Sequence, residues 1–312
     1  MRKMYFNGSF YSNNIDELNK IFNEKNENRR GSRGNAHVLT HPALGLNDGI
    51  NSGLNDNLND NLNDKKIDNS DNELGSHKGL PVPIIPRVRG IIVPHAGYIY
   101  SGACANKVYR IAGEQEFKRV VVIGPSHRIY FKGASVCLEE SYETPLGDLS
   151  VDVDYSEKIV EKIDYIKYIK EAHGEHSTET QMPFIKNYFE KSKVVEIVYG
   201  DIDYDSLSEL VEFVMSDESN LLVISTDLSH FYSEKEAYYI DRNCINALKN
   251  LDNEILFKKG EACGMAGMMA GIKVAKSKDM KSVVVDYRTS ADSIVATDKS
   301  RVVGYMSGII YS

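Results

Sequence analysis

The sequence predicts an α/β protein, a three-layer αβα sandwich around a largely parallel or mixed central sheet. Apolar runs such as VVVIG and LLVIS alternate along the chain with segments of helical periodicity, which is typical of layered α/β folds. These runs lack the polar alternation of a strand with one wet face, so they suit central strands covered by helices on both sides. The chain has 312 residues, of which 42% are hydrophobic, and can therefore bury a large core.

A low-complexity segment divides the chain. Residues 1–24 are expected to be the N-terminal part of the folded domain, with a helix in IDELNKIFNE. Residues 25–80 contain GLNDGINSGLNDNLNDNLNDKK, whose spaced leucines bury too little surface to offset chain entropy. We therefore expect a disordered insertion there, followed by the main domain at 81–312.

The first half of the main domain predicts alternating elements. VRGIIVPHA and FKRVVVIGPSH are expected strands, and SGACANKVYRIAG between them is an expected helix that ends at Gly113. The segment 134–153 is expected to be strand, interrupted by the turn signal TPLGD. Two helices are then expected, YSEKIVEKI and TETQMPFIKNYFEK, the second opened by a capping box of Thr178 and Gln181.

The second half continues the alternation. VVEIVYGD and LLVISTDLSH are expected strands, separated by the helix SLSELVEFVMS. A long helix is expected in EKEAYYIDRNCINALKNL, and GEACGMAGMMAGIKVAKS begins as a glycine-rich loop and continues as a helix. KSVVVDYRTS and RVVGYMSGIIYS close the chain as strands. In sheets of this kind the active site lies at the carboxyl ends of the strands.

Composition narrows the class of protein. Asp and Glu number 45 against 37 Lys and Arg, which leaves no basic excess to neutralise nucleic-acid phosphates. No segment approaches the ~20 apolar residues of a membrane span, and the first residues have no signal-peptide pattern. The four cysteines form no CxxC pair and are expected to be reduced, so we expect a cytoplasmic protein without membrane contact.

Three of the predicted strands end near a histidine. His95 follows IIVP, His127 follows VVVIGPS, and His230 follows LLVISTDLS. A single histidine at a strand end is more often structural than functional, but three suggest convergence on one crevice. Imidazole is both a common ligand of transition metals and the general acid–base residue nearest neutral pH. Asp227 adds a carboxylate that could bind a metal or orient an imidazole.

Two further segments carry candidate residues. In EAHGEHSTETQMPF, His176 and Glu179 lie at the start of a helix, where an anion would be favoured; simple capping is the alternative, and His173 is expected to be solvated. In ACGMAGMMAG, Cys263 lies near a helix N-terminus, where its thiol pKa would be lowered. The alternative is that the small residues only pack the helix tightly. Cys104, Cys137 and Cys244 are expected to be core residues.

The motifs PHAGYIYSG, GPSH, TPLGDL, EHSTETQMPF, STDLSH and CGMAG occur in an order and at separations that resemble the Memo family. Archaeal and bacterial members of this family are described as the B component of the AmmeMemoRadiSam system, and eukaryotic members as mediators of receptor-driven cell motility. The resemblance covers residues 1–24 and about 85–312, and it leaves the Asn/Asp-rich insertion outside.

The resemblance implies a fold similar to the catalytic subunit of class III extradiol ring-cleaving dioxygenases. It also implies a pocket in which His95, His127 and Cys263 hold a metal, with His230, Asp227 and His176 as catalytic groups beside it. Tyr98, Ser126 and Glu179 are candidate substrate-binding residues in the same motifs. The softer thiolate donor favours Fe(II) or copper, with zinc as a third candidate.

Function stays open between two classes at this point. The first is a metal-dependent oxidoreductase of the dioxygenase type. The second is a non-enzymatic module that binds a small molecule, an anion or a phosphopeptide. The resemblance also implies a radical S-adenosylmethionine protein and an AMMECR-type protein as partners. This sequence has no CxxxCxxC of its own, so it is not the radical enzyme. The sequence does not indicate the oligomeric state.

Overall fold

The structure is a computed structural model that describes residues 1–23, 86–296 and 298–312. The predicted insertion at 25–80 lies outside these residues, so its predicted disorder stays a prediction. None of the helices among the described residues is long and apolar enough to cross a membrane.

Strands in the described residues form a mixed central sheet and a small hairpin. Their bounds are β1 Val88–Val93, β2 Arg119–Pro125, β3 Ala134–Val136, β4 Ser141–Tyr142, β5 Leu149–Ser150, β6 Ile166–Lys167, β7 Lys193–Tyr199, β8 Asn220–Ser225, β9 His230–Tyr232, β10 Lys281–Thr289 and β11 Val302–Tyr311. The central sheet has the order β10-β11-β1-β8-β2-β7-β3-β6, with β9 on β11, while β4 pairs with β5. Strands β1, β8, β2 and β7 are mutually parallel, and β10, β11 and β3 add antiparallel pairings.

Helices cover both faces of this sheet. Their bounds are α1 Ile15–Phe22, α2 Tyr98–Ala112, α3 Val153–Lys162, α4 His176–Glu179, α5 Met182–Tyr188, α6 Tyr204–Met215, α7 Glu234–Asn250, α8 Asn253–Lys259 and α9 Met265–Ser277. Alternate strand residues, such as Val121 and Ile123, face a core cluster shared with α3, α6, α7 and α9. Helix α2 packs on β1, β10 and β11 and also contacts α1 and α5. The predicted three-layer α/β fold is thus confirmed.

The four parallel strands are buried along almost their whole length. Every residue of β1, β2 and β8 is buried, as is every residue of β7 except its first. This is what the uninterrupted apolar runs predict for strands covered on both faces. Several helices also begin where the chain supplies a cap: Asn14, Asp203 and Asp252 accept hydrogen bonds from the first turns of α1, α6 and α8.

Three predicted elements differ from the structure. The segment 134–153 holds three short strands rather than one, and LLVISTDLSH is divided between β8 and β9 by a loop. The predicted helix TETQMPFIKNYFEK is broken into α4 and α5. The predicted capping box of Thr178 and Gln181 is wrong, because both side chains are buried and bond elsewhere: Thr178 donates to Glu196, and Gln181 donates to Pro94 O and Ser225.

Helix α9 packs closely on β8 and the loop that follows it. A Cβ on Gly264 would lie 2.8 Å from the carbonyl oxygen of Ser225 and 2.6 Å from Cβ of Thr226. On Gly271 it would lie 2.4 Å from Cδ1 of Ile224. The small residues of ACGMAGMMAG therefore do pack the helix tightly, as the structural alternative predicts, and this packing fixes where the helix begins.

Candidate metal centre

The carboxyl ends of three parallel strands place the first group of side chains. His95 lies two residues after β1, His127 two residues after β2, and Asp227 two residues after β8. Since β8 lies between β1 and β2 in the sheet, these three loops are neighbours. His230, by contrast, begins β9 and pairs with Val303 of β11. The strand β8 is therefore followed by an aspartate, whereas the histidine expected at its end, His230, belongs to the separate short strand β9.

Cys263 joins this group from the start of α9. Its backbone N–H donates to the carbonyl oxygen of Asp227 at 3.2 Å, and the N–H of Asp227 approaches its Sγ at 3.2 Å. The next N–H, of Gly264, donates to Oγ1 of Thr226 at 2.9 Å. The loop after β8 and the first residues of α9 are thus tied together on both sides of the thiol, which limits its movement.

His95, His127 and Cys263 come together at one point. Sγ of Cys263 lies 3.3 Å from Nε2 of His95. One donor atom from each of the three residues lies within 4.8 Å of the other two. Two ligands on a tetrahedral metal at 2.0–2.3 Å are separated by roughly 3.5 Å, so the donor spacing is compatible with a shared ion. The structure thereby brings together the three residues that the sequence predicts as ligands.

The protonation of His95 follows from its neighbours. Ser225 Oγ donates its single proton to the carbonyl oxygen of Ser177 at 2.6 Å, so toward His95 it can only accept. Nδ1 of His95, 3.0 Å from that oxygen, therefore carries the ring proton. This leaves a lone pair on Nε2, the nitrogen that faces Cys263. Burial, with His176 and His127 nearby, lowers the pKa of His95 well below its usual range and favours this neutral form.

The ring of His127 is held by Glu175. Its Nδ1 lies 3.0 Å from Oε1 of this carboxylate, and its backbone N–H donates to Oε2 at 2.6 Å. Burial opposes ionisation of Glu175, but hydrogen bonds from His127 and Ser177, together with the close approach of His176, hold its pKa well below the ordinary value. An ionised carboxylate only accepts, so Nδ1 of His127 carries its proton and Nε2 is left with a lone pair.

The thiol of Cys263 does not have the lowered pKa that its position near a helix start predicts. Burial, and then the Asp227 carboxylate, raise its pKa to about 12. Desolvation therefore outweighs the effect of the helix dipole at this thiol. The prediction of a thiol with a lowered pKa is therefore wrong. Cys263 does lie beside His95 and His127, as the sequence motifs predict.

His176 stands beside this group and closes it on one side. Its ring centroid lies 5.4 Å from that of His95 and 4.6 Å from that of His127. On its other side it packs against two aromatic residues of the N-terminal segment, Phe6 at 5.7 Å and Phe10 at 4.8 Å. The N-terminal segment therefore forms a wall of the candidate site.

Asp227 is almost fully buried below the histidines. Its Oδ1 accepts the backbone N–H of His95 at 2.8 Å, which ties the loop after β8 to the loop after β1. Burial raises the pKa of Asp227, although that N–H and the nearby His230 favour the charged form. His230 is partly exposed, and its backbone N–H donates to Glu261. Their predicted catalytic roles stay predictions.

The three candidate substrate-binding residues have other partners. The hydroxyl of Tyr98 donates to Thr180 O at 2.6 Å, and that of Ser126 donates to Ile129 O at 2.8 Å. Glu179 is fully buried, and its carboxylate accepts hydrogen bonds from the N-terminal segment; the donors are the backbone N–H groups of Tyr5 and Phe6, the hydroxyl of Tyr11 and the guanidinium of Arg2. Their binding role stays a prediction that these contacts do not support.

A second polar cluster lies in the protein interior. His173 is buried rather than solvated, which corrects the expectation from sequence. Its Nδ1 lies 3.0 Å from Glu196 and its Nε2 lies 2.8 Å from Oγ of Ser135. Glu196 also accepts the hydroxyl of Thr178 at 2.6 Å. These bonds satisfy the cluster internally.

Two residues of the site are not predicted from the sequence. Glu175 occurs in a motif whose histidine and second glutamate attract attention first, and Ser225 is the last residue of an apolar strand. Neither has a spacing that signals its partner, because each bonds to a histidine far away in sequence. The only local signal is a charged residue directly before His176, at the N-cap of a short helix.

Comparisons with known proteins show which chains this one is similar to. Residues 63–309 match the family model described as Memo-like protein. A MEMO1 family protein from Aquifex aeolicus is 37% identical over 234 residues, 72% of this chain and 85% of that protein. One from Desulfurococcus amylolyticus is 36% identical over 229 residues, 69% and 80% of the two chains. Among solved structures, the uncharacterized protein JW3007 from Escherichia coli K12 aligns with a TM-score of 0.46 and 12% identity, over 72% of this chain and 99% of that chain.

Proposed function

The chain belongs to the family of Memo-like proteins, and from that premise we propose that its pocket binds a transition metal through His95, His127 and Cys263 and serves a redox function. One observation carries the proposal: both imidazoles have Nδ1 facing an acceptor and keep a lone pair on Nε2, and one donor atom from each ring and the sulfur of Cys263 all lie within 4.8 Å of one another. Neutral imidazole nitrogens and sulfur are donors for transition metals, and a thiolate at Cys263 would leave both this sulfur and Nε2 of His95 free to bind one.

The donor set restricts the metal. Two imidazoles and one sulfur are softer than the carboxylate and carbonyl oxygens that suit magnesium or calcium, and they favour iron, copper or zinc. Iron or copper held there would supply one-electron chemistry, which zinc lacks. Binding requires the thiolate, so Cys263 gives up its proton when it becomes a ligand.

Other residues of the pocket shape its surroundings. Burial raises the pKa of the Asp227 carboxylate, which accepts the backbone N–H of His95. Phe6 and Phe10 shield His176 from water on one side, and the packing of α9 on β8 keeps Cys263 from withdrawing. The site is therefore enclosed at its base and open where His127 is partly exposed.

An anion-binding module is the weaker alternative. An anion or phosphopeptide needs N–H donors or positive charge, whereas the Nε2 atoms of His95 and His127 present lone pairs to the pocket. Burial also disfavours the positive form of His95. The same electron-rich surface that repels an anion attracts a metal cation.

Metal titration of the purified chain tests the proposal. We expect protein prepared without oxygen to bind about one equivalent of Fe(II) or Cu(I), and the triple variant His95→Ala, His127→Ala, Cys263→Ser to lose that binding. Retained binding at unchanged affinity in the triple variant contradicts the metal assignment. A phosphotyrosine peptide added to the metal-free protein gives the matching test of the alternative.

Two controls isolate the site. Cys104→Ser removes a buried thiol of α2 and should leave the stoichiometry unchanged. The variant His37→Asn, His41→Asn, His77→Asn removes the histidines of the 25–80 segment, which could bind metal loosely by themselves. Loss of binding in either control, with the triple variant unaffected, would place the metal elsewhere.

A further inference from the structure

We propose that Glu175 is the positioning residue of this centre, and that it keeps the Nε2 lone pair of His127 directed at His95 and Cys263. The inference rests on the proposed metal site, and it adds a residue that touches none of the reacting atoms. Its basis is the set of contacts around a single buried carboxylate.

Glu175 is fully buried, and each of its oxygens has a defined partner. Oε2 accepts the backbone N–H of His127 at 2.6 Å, while Oε1 faces Nδ1 of the same residue at 3.0 Å and the N–H of Ser177 at 3.1 Å. Nδ1 of His176 lies 2.8 Å from Oε1, although this contact lacks the geometry of a hydrogen bond. One carboxylate therefore meets two of the three neighbouring imidazoles.

The two bonds to His127 act together as a clamp. One oxygen fixes the backbone of the residue and the other fixes its ring, so rotation of the side chain would break a hydrogen bond to a charged acceptor. Within the described residues the His127 ring makes no other hydrogen bond, and the side chain is 31% exposed. The ring packs against His95 and His176, and Glu175 supplies the hydrogen bond that fixes its rotation.

The clamp also selects the tautomer. An ionised carboxylate accepts hydrogen bonds but cannot donate one, so Nδ1 must carry the ring proton and Nε2 must carry the lone pair. A carboxamide at the same place has an NH₂ group that can donate to Nδ1, and the imidazole proton can then move to Nε2, where it blocks a ligand. In either orientation of the amide Glu175→Gln removes one bond of the clamp, and it permits the second tautomer while it changes the size of the side chain very little.

The chain contains a matched control. Glu196 is also fully buried and lies 3.0 Å from Nδ1 of a histidine, His173, but that histidine belongs to the interior cluster. Glu196→Gln makes the same chemical change in a comparable environment away from the candidate ligands. A general effect of losing a buried charge appears in both variants, whereas a positioning effect appears in one.

Two measurements test the inference. Ring ¹⁵N chemical shifts of the metal-free protein report the tautomer of His127; we expect the Nδ1–H form in the unmodified chain and in Glu196→Gln, and its loss in Glu175→Gln. Anaerobic competition titration reports metal affinity, which we expect to fall about 10- to 100-fold in Glu175→Gln and less than twofold in Glu196→Gln. Glu175→Asp keeps the charge but is too short to span both contacts, so its metal affinity should lie between those of the other two variants. This variant replaces Glu175→Gln in the experiment if Glu175→Gln fails to fold.

The outcomes separate this inference from the proposed function. If neither the unmodified chain nor any variant binds metal, the metal assignment fails. The positioning role still stands in that case if Glu175→Gln alone loses the Nδ1–H form of His127. If Glu175→Gln keeps the Nδ1–H form of His127, the positioning role is overturned whatever the affinities are. Equal losses of affinity in Glu175→Gln and Glu196→Gln also overturn it, because they indicate a structural effect.

Discussion

Single buried residues control the protonation of their neighbours in this protein. Ser225 and Glu175 select the tautomers of the two histidines, and a third buried residue, Asp241, binds the loop after β8 to α7. Asp241 accepts the backbone N–H of Ser229 at 3.0 Å and the hydroxyl of Tyr287 at 2.8 Å. Despite these bonds, burial raises the pKa of Asp241 to about 6. Its desolvation is therefore only partly compensated near neutral pH.

We expect Asp241 to make the protein less stable as pH rises from about 4 to 6. Its pKa is higher in the folded chain than the 3.8 of the unfolded one, so the folded state binds more protons in that interval and loses stability as they leave. A shift of this size corresponds to about 3 kcal/mol. Asp241→Asn keeps both hydrogen-bond partners without the charge and should remove this contribution. Urea unfolding at several pH values measures it.

The comparison of the two pH profiles is the decisive quantity, because other groups titrate in both proteins. The stability of Asp241→Asn relative to the unmodified chain should increase between pH 4 and 7. Parallel profiles would show that Asp241 has an ordinary pKa in the folded chain.

At the scale of elements, the packing of α9 on β8 decides where the sulfur lies. Gly264 is pressed against backbone and Cβ atoms that have little freedom to move, whereas the atom nearest Gly271 is the terminal methyl of Ile224. Cys263 directly precedes Gly264 and bonds to the loop after β8 through its own backbone. The start of the helix therefore also sets the position of Cys263, the candidate ligand.

Gly264→Ala should move Cys263 away from His95. The added methyl group would overlap Ser225 O and Thr226, and overpacking of this kind costs about 1–3 kcal/mol. We expect a loss of metal affinity of tenfold or more together with that loss of stability, measured by anaerobic titration and urea unfolding.

Gly271→Ala provides the control on the same helix. Its methyl group meets only a side-chain end that can rotate, and alanine favours a helix over glycine by about 1 kcal/mol. Metal affinity should stay unchanged in this variant. An equal loss of affinity in both variants would show that the site depends on the helix as a whole and not on its first residues.

Across the whole molecule, the N-terminal segment is joined to the site by buried charges. Arg2 lies 3.1 Å from Glu179 and 4.0 Å from Glu196, two carboxylates without exposure to solvent, and its guanidinium lies over the ring of Tyr142. The same segment supplies Phe6, which packs on His176. The N-terminal segment is distant in sequence from the candidate ligands. It nevertheless supplies the cation that pairs with two buried carboxylates, and it forms one wall of the pocket.

Arg2→Met should destabilise the protein by about 3–5 kcal/mol, because it leaves buried carboxylates without their cation. Adding Glu179→Gln should restore part of the loss, since one of the unpaired charges is then removed. Lys3→Met is the control: Lys3 is largely exposed, and its ion pair with Glu143 contributes less than about 1 kcal/mol. Urea unfolding compares the variants, and a loss as small as that of Lys3→Met would contradict the buried-charge argument.

Much of this architecture could be predicted from local patterns. Unbroken apolar runs identify β1, β2, β7 and β8, because a strand covered on both faces needs apolar residues at every position. The short elements β6 and α8 carry too few residues for a periodic signal, and neither is predicted. The break between α4 and α5 is also missed, because it depends on Thr178 and Gln181 bonding to other parts of the molecule.

The sequence by itself determined the layered α/β fold and the residue types that end its central strands, since both depend on local apolar patterns and on the chain direction. It also singled out His95, His127 and Cys263, through motifs that resemble a known family. Only the tertiary structure decided that Asp227 rather than His230 follows β8 directly, that His173 is buried, and that Ser225 and Glu175 set the two tautomers. The reason is physical: a hydrogen bond or a desolvated charge depends on distances between residues far apart in sequence, and those distances exist only once the sheet has formed.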